Sequence, residues 1–227
     1  MGSAMTDAVR AALGPKLGGA VARSLGPMKY WLFDIDGTLV DSTPAVERAW
    51  RTWAAENGFD GDEILAVSHG RRSEDTLADL LAPELVAPAY RRVFELEMGD
   101  LESVVALPGA AGVLASIPRD RWAAVTSGSR ELMSARLAAA GLPVPEVMIT
   151  AEDVEAGKPD PSGYLLAAER LGADPVDCLV IEDAPAGLEA GTRAGCRVIA
   201  VATSHSPEQL AGYEIIPVLT HLGKVTA

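Results

Sequence analysis

The residues best suited to chemistry are carboxylates placed where apolar runs end. Tyr30 to Phe33 is a short apolar run, Asp34 and Asp36 follow it, and Gly37 supplies a turn. Strand hydrogen bonding would stop at about that point, and in an open parallel sheet ligands bind beyond the carboxyl ends of the strands. Further along, Val125 is followed by Thr126-Ser127-Gly128-Ser129, hydroxyls and amides suited to holding phosphate oxygens. Lys158 stands in a rigid Gly-Lys-Pro-Asp-Pro turn, and the apolar run Cys178 to Ile181 leads into a second acidic pair, Glu182-Asp183.

Each feature alone has an ordinary explanation. Asp and Gly dominate solvated turns, Ser129 suits a helix N-cap, and acids favour helix N-termini. Two specific alternatives fail on the residues: an EF-hand loop meets Thr38 and Ala45 where acidic ligands are required, and a Walker A loop meets Glu152 in place of its first Gly and Pro159 after the lysine. Taken together, acids, a hydroxyl, a lysine and two more acids, each after a strand-like run, supply a nucleophile, metal ligands and positive charge. That is the equipment of phosphoryl transfer.

The elements that must position these residues are legible in the pattern. From Trp122 onward strand-like runs alternate with helical ones: Trp122 to Val125, Glu131 to Ala140, Val147 to Thr150, Pro161 to Leu171, Cys178 to Ile181, Ala184 to Ala190 and Arg197 to Ala202. The alternation implies an α/β fold with a parallel sheet covered on both faces. Between Ala45 and Ala106 the reading is helical throughout. Val46, Ala49, Trp50, Trp53 and Ala54 recur at helical spacing, as do Leu77, Leu80 and Leu81, then Tyr90, Val93, Phe94 and Leu96. The expected organisation is a core of residues 28–42 and 107–227 with a helical cap of residues 43–106 inserted above the acids.

The chain has 227 residues, 48% hydrophobic and 22% charged, enough for one sizeable core. A net charge of −13 with no basic stripe argues against nucleic-acid or anionic-membrane partners, while a small phosphorylated metabolite remains compatible, given local positive charge and a metal. The oligomeric state is open, and a monomer is compatible with the chain. Cys178 and Cys196 read as small core residues of a reducing, cytoplasmic protein. Residues 1–27 have no continuous apolar stretch of the kind a signal peptide needs and are read as an extension, either disordered or a short helix.

With these residues in hand, the sequence from Met28 onward resembles the haloacid dehalogenase superfamily of phosphatases. Asp34-Ile35-Asp36-Gly37-Thr38, Thr126-Ser127, Lys158 and Glu182-Asp183 match its four motifs in order. The resemblance implies a Rossmann-like core with a C1 helical cap, and Asp34 as nucleophile with Asp36 as general acid and base. It also implies Mg2+ held by Asp34, Asp183 and the Asp36 carbonyl, with Glu182 ordering its waters, and phosphate binding by Thr126, Ser127 and Lys158. His69-Gly70-Arg71-Arg72 and Ile149 to Val154 are similar to the sugar-phosphate and polyol-phosphate phosphatases, so His69 and Arg72 are the expected cap contacts to substrate. The related β-phosphoglucomutases keep a His and a phosphate-binding Arg where Val46 and Ser73 stand here. Mutase activity is therefore disfavoured, and a non-catalytic relative would be expected to have a broken motif.

Overall fold

The computed structural model describes residues 29–68 and 70–213. The expected N-terminal extension and His69 lie outside the described residues. Five parallel strands form the main sheet: β1 (Tyr30–Phe33), β4 (Trp122–Val125), β5 (Val147–Ile149), β6 (Cys178–Glu182) and β7 (Arg197–Ala200), in the order β5-β4-β1-β6-β7. The chain therefore winds out from β1 to one edge, returns, and winds out to the other. The two halves diverge at β1, the topological switch point where open α/β sheets bind ligands.

Alternation along the strands divides the core. Trp31, Phe33, Trp122, Ala124, Leu179 and Ile181 pack on one face; Leu32, Ala123, Val125 and Val180 pack on the other. Because both faces are covered, the strands read in sequence as continuous apolar runs. Helices α5 (Ala110–Ser116) and α6 (Arg130–Ala139) contribute Leu114, Met133 and Leu137 to the first face. Helices α7 (Ser162–Arg170) and α8 (Pro185–Arg193) contribute Tyr164, Ala167, Ala168 and Ala190 to the second.

The segment expected to be wholly helical contains four helices: α1 (Thr43–Asn57), α2 (Gly61–Ser68), α3 (Ser73–Leu80) and α4 (Pro83–Met98). Its end departs from the expectation. Val105–Ala106 form a short strand, β3, pairing antiparallel with β2 (Val40–Asp41), so the passages into and out of the helical segment hydrogen-bond to each other. A two-residue strand is too short to show a periodicity, although Val104-Val105 is β-branched. Leu80, one of the apolar residues at helical spacing, is exposed.

Trp50, Trp53, Ala54, Ile64, Leu65, Leu77 and Val93 give the four helices a hydrophobic cluster of their own. Trp53 lies at its centre, edge-on to Trp50 and stacked on Phe59. Ala45, Phe94 and Met98 pack against the sheet domain's core, and specific polar groups add to the contact. Arg72 donates to the carbonyls of Glu155 (3.1 Å) and Val154 (2.8 Å), and Ser127 Oγ donates to the Gly70 carbonyl (2.9 Å). No helix among the described residues is long and apolar enough to cross a membrane.

Trp53 is only 1% exposed. Trp53→Ala is expected to cost about 3–5 kcal/mol, the range for truncating a buried aromatic, as read by urea unfolding followed by circular dichroism. A loss under about 1 kcal/mol would show that the helical segment does not rest on this side chain.

Candidate active site

The turn after β1 is built around Gly37. The Asp34 amide still bonds to the Ile181 carbonyl at 3.0 Å, after which Leu39 and Val40 amides both return to the Ile35 carbonyl. Gly37 has φ +81°, and a Cβ there would collide with the carboxylate of Asp183. Glycine is thus required twice over, by backbone conformation and by the close approach of β1's turn to the end of β6.

Lys158 is the centre of the site. Its ammonium lies 2.5 Å from Asp34 Oδ1, 2.5 Å from Glu182 Oε1 and 3.0 Å from the Val125 carbonyl, with its side chain 7% exposed. It is an interior cation joining β1, β4 and β6, not a solvated turn lysine. Burial opposes its charge, but Asp34 and Glu182 outweigh that effect and raise its pKa, so it stays protonated. Glu182 is fixed by further bonds. Oε1 accepts from the Tyr164 hydroxyl at 3.0 Å, and Oε2 accepts from the amides of Asp183 and Ala184 at 3.0 and 3.2 Å. Gly187 leaves no room for a Cβ against the same carboxylate.

Asp34, Glu182 and Asp183 present carboxylate oxygens within 4.8 Å of one another, all buried. Burial pushes Asp34 well above the usual carboxylate range despite the opposing pull of Lys158, and Glu182 and Asp183 add to the rise. Asp183 is pushed up to about 7, first by burial and then by Glu182. Three close carboxylates therefore share too little positive charge, and an all-oxygen donor set of this kind fits a hard divalent cation. Asp183 also accepts from Thr38 Oγ1 at 3.2 Å and from Ser204 Oγ, whose oxygen lies 2.7 Å from His205 Nδ1.

Asp36 stands outside that cluster and is held separately. Ser42 Oγ donates to its Oδ1 at 2.7 Å and Arg136 Nη1 to its Oδ2 at 2.7 Å. Ser42 thus caps no amide of α1 with its side chain; its hydroxyl orients an acid instead. Arg136 is buried, and its other terminal nitrogen lies 3.4 Å from Glu97 at the end of α4. Neither Arg136 nor Glu97 was singled out by motif spacing. A signal did exist: each lies four residues beyond a buried apolar residue, Leu132 and Val93, and so on the inward face of its helix.

Thr126 is buried at the end of β4, its Oγ1 accepting from the Gly128 amide at 3.1 Å. Ser129 caps α6 through the Leu132 amide. Thr126 and Ser127, with Asp34, Asp36 and Asp183, line a cavity of about 100 Å³ beneath the helical segment. Of the two expected cap contacts, His69 lies outside the described residues. Arg72 does not line this cavity; its guanidinium is turned to the Val154 and Glu155 carbonyls, because the fold uses it as a clamp between helices and core. The Ile149 to Val154 stretch likewise has a structural part, with Asp153 bonding Thr150, Arg130 and Arg170.

A family model described as haloacid dehalogenase-like hydrolase matches residues 28–195. The chain is 49% identical over 181 residues to hexitol phosphatase A of Escherichia coli, covering 76% of this chain and 82% of that one. It is 37% identical over 186 residues to glycerol-1-phosphate phosphohydrolase 2 of Saccharomyces cerevisiae, covering 76% and 74%. A crystal structure of a hydrolase from Pseudomonas syringae superposes with a TM-score of 0.77 at 25% identity, covering 87% of this chain and 99% of that one. With the motif acids and lysine assembled at one end of the sheet, the chain belongs to the haloacid dehalogenase-like hydrolases.

Proposed function

We propose that this hydrolase is a cytoplasmic, Mg2+-dependent phosphatase of a small phosphorylated sugar or polyol, acting through an aspartyl-phosphate intermediate. The observation that carries the proposal is the buried Asp34–Lys158–Glu182 network beside Asp183, opening onto a cavity roofed by helices. The relatives named for hexitol and glycerol-1-phosphate support the substrate class. Residues 43–106 act as the cap, and residues 28–42 with 107–227 as the core.

Asp34 attacks phosphorus, and the bond to the leaving alkoxide breaks as Asp36 gives that oxygen a proton. Water then attacks the aspartyl phosphate, its proton passes to Asp36, and inorganic phosphate leaves with Asp34 restored. Thr126, the Ser127 amide and Lys158 bind the transferring oxygens, where charge accumulates. Lys158 also fixes the Asp34 carboxylate, so the nucleophile is oriented before substrate arrives. Asp34, Asp183 and the Asp36 carbonyl would hold Mg2+, with Glu182 placed behind them; when bound, the ion supplies positive charge opposite the phosphoryl oxygens. Ser42 and Arg136 orient Asp36.

Val46 and Ser73, which replace the His and Arg kept by related β-phosphoglucomutases, both line the cavity. They support hydrolysis over phosphoryl return to a second sugar hydroxyl. A phosphate-release screen over phosphorylated sugars, polyols and nucleotides tests the reading. Free phosphate should accumulate stoichiometrically, and accumulation of a bisphosphate in its place would favour the mutase.

Asp34→Asn is expected to lower turnover by several powers of ten with an unchanged fold; substantial turnover in the purified, metal-loaded variant would remove Asp34 from the nucleophile's role. Excess EDTA should abolish activity and Ca2+ should inhibit. Mg2+ at about 100-fold over its Kd should stabilise the protein by about 2.7 kcal/mol, roughly 5–10 °C in Tm for a chain of this size. An unchanged melting curve would count against this metal site, as would an equal rise in Asp183→Asn. Arg72→Ala should lower kcat/KM for a sugar phosphate and an aryl phosphate alike, because its carbonyl contacts hold the cap to the core; selective loss on the sugar phosphate would return Arg72 to substrate binding.

A further inference from the structure

The roof of the cavity carries chemistry that no motif assigns. Ser68, the last residue of α2, is 7% exposed, and among the described residues its buried hydroxyl oxygen has no hydrogen-bond partner while its side chain lines the cavity. A buried orphan hydroxyl is costly and rare. It is explained when a ligand hydroxyl completes it. Glu74, in the first turn of α3, and Tyr90, on α4, line the same cavity, both half-buried.

The charge on this roof that lacks an ion-pair partner among the described residues has one sign. Among the described residues Arg71 also lines the cavity, but its guanidinium is paired with Asp79 at 2.8 Å. Arg72 influences Glu74 from outside the cavity, with its guanidinium committed to two backbone carbonyls. Arg136 is committed to Asp36 and Glu97. Among the described residues Glu74 forms no ion pair, and burial is the chief cause that raises its pKa above normal. Burial, followed by Glu74, raises the Tyr90 phenol against the opposing effect of a hydrogen bond with Ser129, so the phenol keeps its proton.

Resting on the phosphatase reading above, we propose that Ser68, Glu74 and Tyr90 form a subsite for an uncharged, polyhydroxylated leaving group, and that Glu74 rejects esters carrying a second anionic group. A carboxylate accepts from sugar or polyol hydroxyls, whereas Ser68 and Tyr90 donate to or accept from their neighbours. The same carboxylate, partly withdrawn from water, repels a second phosphate. Selection is thus made by attraction of hydroxyls and by repulsion of charge, on one wall.

The test compares kcat/KM of the Mg2+-loaded full chain on sorbitol 6-phosphate, fructose 1,6-bisphosphate and p-nitrophenyl phosphate. The wild type should favour sorbitol 6-phosphate over the bisphosphate at least about tenfold. Glu74→Gln should lower the ratio of polyol ester to aryl ester about tenfold, the size of one hydrogen bond to a charged group, and Ser68→Ala should lower it about two- to fivefold. Glu74→Lys should raise the ratio of bisphosphate to polyol ester at least about tenfold. Equal wild-type rates on bisphosphate and polyol ester, or unchanged ratios in the Glu74 and Ser68 variants, would overturn the subsite while leaving the phosphatase intact. Failure to release phosphate from any of the three esters would instead overturn the phosphatase reading and the subsite with it.

Discussion

A single ammonium group in the interior holds the site together. Lys158 bonds at once to Asp34 after β1, to Glu182 at the end of β6 and to the carbonyl of Val125 at the end of β4. Three strands therefore end against one positive charge. Burying an ion pair costs several kcal/mol per ion in lost hydration, and the geometry must be good to recover it. The recovery is visible in the surrounding bonds: Tyr164 and two backbone amides complete Glu182, and the lysine ammonium lies 5.6 Å from the centre of the Tyr164 ring. Such an arrangement is a weak source of stability and a strong source of position.

The site divides into two electrostatic compartments. Asp34, Glu182 and Asp183 crowd together, so that burial and mutual repulsion leave them short of positive charge. Asp36 belongs to a second network, in which Arg136 connects it to Glu97 at the end of α4. Burial raises Glu97, and Arg136 opposes the rise. Keeping the two networks apart lets neighbouring carboxylates take different chemical parts, since each answers to its own partners. The second compartment also ties the core's acid directly to a helix of the roof.

What the sequence made legible was the register of ends. The strands were readable because burial on both faces turns them into apolar runs, and the acids and lysine were readable because each stands where a run stops. Arg136 was not, because a lone charged residue in a helix usually faces water, and its place four residues beyond Leu132 marks an inward face without naming Asp36 as its partner. Glu97 and Glu74 were hidden for the same reason. The direction of Arg72 was not legible, because a motif gives a residue's neighbourhood without its orientation, and its long guanidinium here reaches two backbone carbonyls. Helix α5 went unmentioned, its seven residues being too few to show a period.

The antiparallel ribbon of β2 and β3 settles how a large insertion coexists with a pre-existing sheet. Because Val40 pairs with Ala106 and Asp41 with Val105, the helical segment begins and ends at one place. To the rest of the chain the excursion is equivalent to a hairpin whose loop has grown. The entropy of closing a loop rises only logarithmically with its length, and the excursion folds about its own tryptophan cluster, so lengthening it costs the sheet little. Such a junction permits wholesale exchange of the segment in evolution: helices can be replaced or lengthened beyond the ribbon without altering the register of any catalytic strand.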